Sequence, residues 1–136
     1  MAREKLKVLI ADDQAGVRFL LDIVVRESGH KSYMAQNGME AIEMACSIKP
    51  DLIFMDVRMP LIGGLEALGK IKTARPETQV IIMTAYGSEQ TVSEAKSKGA
   101  WCYIAKPFDV EEIKELLNKF VDGFDDIAES RVAGCM

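Results

Sequence analysis

The chain has 136 residues, a formal net charge of −4 and 49% apolar side chains, which fits one domain with a substantial core. The acidic balance, with no Lys/Arg cluster, argues against direct nucleic-acid binding, and no apolar run approaches the roughly 20 residues a membrane span requires. The start does not read as a secretory signal, and Cys46, Cys102 and Cys135 have neither metal-ligand spacing nor a disulfide framework, so a reduced, cytoplasmic protein is expected.

Along the chain, short apolar runs alternate with longer helical patterns. LKVLIA (6–11) predicts a strand. QAGVRFLLDIVVRES (14–28) places apolar residues at 17, 20, 21 and 24, one face of a helix, and Gly29 supplies its stop. His30 then reads as a loop or surface residue before a second, weaker strand, KSYMAQ (31–36). NG (37–38) reads as a turn, followed by a helix over 39–48. PDLIFMD (50–56) predicts a strand, and GGLEALGKIKTA (63–74) a helix that stops before Pro76. QVIIMTA (79–85) predicts a strand, then a helix over 88–99 with Ser88 as N-cap. AWCYIAK (100–106) is the last strand. The last helix covers 109–121, with Asp109 as N-cap and Glu112 completing a capping box. Residues 122–136 have weak periodicity and are expected to extend that helix or be disordered.

Strands 1, 3 and 4 are continuous apolar runs, as in strands covered on both faces, which points to a parallel sheet. Right-handed crossovers then give a doubly wound α/β sandwich of five strands and five helices. In such folds ligands bind beyond the carboxyl ends of the strands. Those ends are Asp12-Asp13, Gln36-Asn37, Asp56, Thr84-Ala85 and Lys106-Pro107.

Asp12, Asp13 and Asp56 should therefore converge, with Lys106 approaching from another strand. Three carboxylates in one crevice need a cation, and Mg²⁺ suits a few carboxylates while keeping several waters. Helix capping accounts for one acid of the Asp12-Asp13 pair. It does not account for Asp56 and Lys106 at matching strand ends. A carboxylate can act as nucleophile toward phosphorus, and phosphoryl transfer depends on positioning and charge neutralisation. Asp56 is the candidate acceptor, Lys106 supplies an ammonium and Thr84 a hydroxyl. Pro107 favours an extended or turn geometry at Lys106 and permits a cis bond.

ADDQ, MDVRMP, MTAYG and AKPFD, in this order and at these separations, resemble the receiver domain of two-component response regulators, over roughly residues 5 to 121. The domain division expected is therefore a receiver at 1–121 and a tail at 122–136. The resemblance implies the flavodoxin-like sheet order 2-1-3-4-5 and Mg²⁺, with Mn²⁺ as a substitute. It also implies phosphorylation of Asp56 by a phosphohistidine on a sensor histidine kinase or histidine phosphotransferase. By matching position, it makes Asp13, Asp56 and the backbone carbonyl of Arg58 direct metal ligands, with Asp12 acting through metal-bound water. Thr84 becomes the switch hydroxyl, Lys106 the phosphate contact and Tyr103 the switch aromatic. Such a protein is not an enzyme except in catalysing its own phosphorylation and dephosphorylation. It acts through protein contacts, as a monomer or a weak phosphorylation-dependent dimer. DDQAGVR, NGMEA, KPDLI, IIMTAYG and AKPFD are closest to single-domain intermediates of the sporulation phosphorelay, which carry a histidine where Tyr103 stands and a tyrosine where Ala15 stands.

Phe19 and Ile23 fall off the core arc of the first helix, and Gln14, Ala15 and Gly16 form its small first turn beside Asp56. With Leu20, Pro107 and Phe108, the residues Gln14, Ala15, Gly16 and Phe19 make the expected partner surface. Three alternatives have discriminating features. A receiver cut from a larger transcription regulator shares the same motifs. A Mg²⁺-dependent aspartate-nucleophile phosphohydrolase usually carries an acid two residues after the nucleophile, where this chain has Arg58. A flavodoxin-like cofactor binder needs a Ser/Thr/Gly-rich phosphate loop after strand 1.

Overall fold

The structure, a computed structural model, describes residues 6–85 and 89–122. The expectations for Ser88, and for the tail after Asp122, lie outside these residues. Strands β1 (Lys7–Ala11), β2 (Lys31–Ala35), β3 (Leu52–Asp56), β4 (Gln79–Thr84) and β5 (Cys102–Ala105) alternate with helices α1 (Ala15–Glu27), α2 (Gly38–Ile48), α3 (Gly64–Ala74), α4 (Glu89–Ser97) and α5 (Val110–Val121). The strands form one sheet in the order β2-β1-β3-β4-β5, and every pairing is parallel. This is the expected doubly wound architecture.

Strand alternation sorts the core into two layers. Val8, Ile10, Leu52, Phe54, Ile81, Met83, Cys102 and Ile104 face α1 and α5, meeting Leu21, Val24, Val25, Ile113, Leu116 and Leu117. Leu9, Ala11, Ile53, Met55, Val80 and Ile82 face the other way, against Ala41, Ala45, Ala67, Leu68, Ile71 and Ala95 from α2, α3 and α4. The alanines keep that layer thin. Each fully buried large apolar side chain, such as Phe54 or Leu9, contributes roughly 1.5–3 kcal/mol. Edge strand β2 is only partly covered, which explains its weaker sequence signal.

Two sequence readings are corrected. The core residues of α1 are Leu21, Val24 and Val25 with Val17 beside them, whereas Leu20 is 39% exposed. Val25 follows Leu21 by four positions and faces the sheet; Leu20 lies a third of a turn off that stripe. Asn37-Gly38 is not a free-standing turn: the Asn37 side chain accepts a hydrogen bond from the Glu40 N–H at 2.8 Å and N-caps α2, which begins at Gly38. Turn and cap share the same residue preferences, so the dipeptide alone does not separate them. Elsewhere the local signals correspond. Gly29 follows α1 at φ 91°, a left-handed conformation that glycine adopts without steric cost. The Asp109–Glu112 capping box starts α5, with both bonds at 3.0 Å. His30 is half-buried, its Nδ1 accepting from the Leu6 N–H at 3.2 Å. None of the helices among the described residues is long and apolar enough to cross a membrane.

Candidate functional site

Parallel strands bring their carboxyl ends to one edge of the sheet, and the polar residues lie there. Asp12 follows β1 directly, Asp56 closes β3, Thr84 closes β4 and Lys106 follows β5. Asp12, Asp56 and Thr84 are buried, and Asp13 is exposed. Carboxylate oxygens of Asp12, Asp13 and Asp56 lie within 4.8 Å of one another. Lys106 Nζ lies 2.7 Å from Asp12 Oδ2, 3.3 Å from Asp56 Oδ1 and 3.5 Å from Gln14 Oε1. The Lys106 backbone is anchored beside β4, its N–H donating to the Thr84 carbonyl at 2.8 Å. The Lys106–Pro107 peptide is cis.

Asp56 is held from behind. The Val57 N–H donates to the Met83 carbonyl at 3.0 Å, and the Gly64 N–H donates to the Val57 carbonyl at 2.8 Å. A Cβ at Gly64 would overlap the Asp56 carbonyl, so only glycine lets α3 start this close to the end of β3. On the other side, the Gln14 N–H donates to Asp12 Oδ1 at 2.9 Å.

Burial and the neighbouring Asp12 push the Asp56 carboxyl up to about 6, with Asp13 adding to the rise and Lys106 opposing it. For Lys106, burial pulls the ammonium's pKa down. The hydrogen bonds and charges of Asp12 and Asp56 outweigh that and hold it above its ordinary value. One ammonium faces three carboxylates, so the cluster carries excess negative charge when all are ionised. The donors are all hard oxygens, grouped at a spacing one small cation can bridge, and they fit a divalent ion of the Mg²⁺ class.

The cluster opens into a cleft of about 490 Å³ lined by Asp13, Gln14, Asp56, Arg58, Thr84 and Lys106, together with Val57, Ala85 and Thr91. Sequence reasoning placed Ala85 at the end of β4 without giving it a role, and did not single out Val57 or Thr91. Thr91 was findable in principle: it sits in the first turn of the helix after β4, and that helix begins at the functional edge. An apolar recess of about 350 Å³ adjoins the cleft, lined by Val17, Leu20, Pro107 and Phe108, and shares Gln14, Ala85 and Lys106 with it. Ala15 and Gly16 are exposed but line neither cavity, and Phe19 projects outward at 55% exposure. Tyr103 does not reach the cleft. It is half-buried in the layer of α2, α3 and α4, paired in register with Ile82 and two residues back from the Thr84–Ala105 pair.

Residues 8–118 match the family model of the response regulator receiver domain. Sporulation initiation phosphotransferase F of Bacillus subtilis (strain 168) is 39% identical over 115 residues, covering 85% of this chain and 93% of that protein. Regulatory protein AtoC of Escherichia coli (strain K12) is 36% identical over 113 residues, covering 83% of this chain and 24% of that protein. Among solved structures, the receiver domain of Francisella response regulator 1452 superposes with a TM-score of 0.81 at 28% identity, covering 88% of this chain and 98% of that one.

Proposed function

The chain belongs to the response regulator receiver domain family, and from that premise we propose that Asp56 accepts a phosphoryl group, in a Mg²⁺-dependent reaction, from a phosphohistidine on a partner protein. Receiver domains take phosphoryl groups from histidine kinases or phosphotransferases. The observation that carries the assignment to Asp56 is the Lys106 ammonium lying within 3.3 Å of Asp56 Oδ1 while also pairing with Asp12.

In the proposed step an Asp56 oxygen forms a bond to phosphorus as the histidine N–P bond breaks. The imidazole nitrogen leaves with the bonding pair and takes a proton from solvent. Asp13, Asp56 and the Arg58 carbonyl would hold Mg²⁺ directly, with Asp12 acting through its water; the ion would neutralise phosphoryl oxygens. Lys106 offsets charge on another phosphoryl oxygen, and the Thr84 hydroxyl donates to a third. Ionised Asp56 is the nucleophile, so Lys106 also serves by opposing the burial that favours its protonated form.

The signal in this reading is a population shift. Thr84 drawn toward the phosphoryl group vacates space on the face it shares with Tyr103, which follows, and the surface of α4, β5 and α5 changes. The donor protein docks over α1 and the β5–α5 connection, where the apolar recess of Val17, Leu20, Pro107 and Phe108 opens beside the cleft and Phe19 is exposed. Small residues at Ala15 and Gly16 leave room for the approaching imidazole. Onward transfer to a histidine phosphotransferase makes the protein a relay, a role supported by its 39% identity to sporulation initiation phosphotransferase F.

The test is incubation with a small-molecule phosphodonor and Mg²⁺, read by intact-protein mass. One phosphoryl group is expected on the wild type and none on Asp56→Asn. Equal labelling of the variant removes the assignment.

A further inference from the structure

Asp12, and with it the peptide that leads to Asp13, is gripped by β2 and by the start of α1. The Asp12 N–H donates to the Ala35 carbonyl at 3.2 Å, and Asp12 Oδ1 accepts from the Gln14 N–H. The Asp12 carbonyl oxygen accepts from the Arg18 guanidinium at 2.6 Å, a short, charge-assisted bond. That carbonyl and the Asp13 N–H lie in one planar unit, so fixing the carbonyl fixes the plane from which Asp13 departs. Asp13 needs such help. Asp12 and Asp56 are buried and bonded to Lys106, whereas Asp13 is exposed and makes no hydrogen bond among the described residues. Arg18 sits one turn into α1, a rigid element, and is half-buried.

We propose that Arg18 is a positioning residue for the divalent cation: its bond to the Asp12 carbonyl aims the Asp13 carboxylate at the oxygens of Asp12 and Asp56. This rests on the reading of the cluster as a Mg²⁺ site. The proposal predicts a sign opposite to simple electrostatics. Removing the guanidinium bonded to the Asp12 carbonyl favours the arrival of another cation on Coulomb grounds. Losing the positioning bond weakens cation binding instead.

The experiment titrates Mg²⁺ into the unphosphorylated protein by calorimetry and follows the Mg²⁺-induced rise in thermal midpoint. Arg18→Met keeps the apolar stem and removes the donor. Arg26→Met, at the far end of α1, removes the same charge from an exposed arginine paired with Asp22. Arg18→Met is expected to lose about tenfold in Mg²⁺ affinity, the usual cost of removing a group that orients a ligand, while its metal-free midpoint falls modestly with the lost bond to the Asp12 carbonyl. Arg26→Met is expected to bind as the wild type does. Unchanged or tighter binding by Arg18→Met, or an equal loss in Arg26→Met, overturns the proposal. A wild type that binds no Mg²⁺ overturns the metal-site reading itself, a separate result visible before either variant is made.

Discussion

Lys106 Nζ and Asp12 Oδ2 meet at 2.7 Å although their strands, β5 and β1, are separated in the sheet by β3 and β4. The lysine crosses over both to reach a carboxylate with no solvent exposure, passing Asp56 on the way. It is therefore the counterion of the whole cluster before any metal arrives.

Lys106→Met should lower the stability of the metal-free protein by about 3 kcal/mol, because it strands the buried Asp12 charge. Denaturant melts in a chelator measure this. Saturating Mg²⁺ should recover more stability in the variant than in the wild type, since the ion then supplies the missing positive charge. Phosphorylation should still fall, because in the proposed step the ammonium serves a phosphoryl oxygen other than those facing Mg²⁺.

Asp56 gives a pH dependence of unusual sign for a carboxylate. Its value of about 6 lies above the ordinary 3.8, so between the two the folded protein binds more protons than the unfolded one. The stability it contributes is fully present below about pH 3.8 and is lost as pH rises through about 6. Metal-free Asp56→Asn should lack this step and be the more stable protein near neutral pH, by about 1 kcal/mol once screening at the cleft mouth is allowed for. Urea midpoints on either side of the transition test it. On the proposed Mg²⁺ reading the ion should reverse the order, because only the wild type keeps all three carboxylates.

Gly64→Ala should disturb Asp56 from behind. The added methyl overlaps the Asp56 carbonyl, and relief requires moving either α3 or the end of β3. A loss of about 1–3 kcal/mol is expected, as for overpacking, together with slower labelling by a small phosphodonor. Gly16→Ala is the contrasting substitution. A Cβ there meets nothing within 4 Å, so stability should hold or rise slightly.

Phe19→Ala separates docking from chemistry. The side chain is 55% exposed, so stability should stay within about 0.5 kcal/mol and small-donor labelling should be unchanged. Transfer from a phosphohistidine protein should slow. Equal transfer rates for variant and wild type would remove Phe19 from the contact surface.

Most of the fold was legible because the strands are uniform. Leu52–Asp56 is buried at every position, and the unbroken apolar run Leu52–Met55 marks a strand covered on both faces. The convergence of Asp12, Asp56, Thr84 and Lys106 followed from topology alone, since parallel strands end at one edge. What escaped was what depends on rotation and depth. Leu20 and Val25 have the same hydrophobic character, and only the angular position of the sheet against α1 decides which is covered. Val57 and Ala85 line the cleft through placement, not reactivity, and carried no chemical signal in the sequence, whereas Thr91 was marked only by its place in the first turn of α4. The grip of Arg18 on a carbonyl was likewise invisible, because a backbone acceptor leaves no mark in the residue letters.

The Lys106–Asp12 pair links positions 94 residues apart. A chain still emerging from synthesis, or one cut before its final strand, holds the acidic trio without its counterion. In the proposed reaction the acceptor site is therefore complete only when β5 has docked.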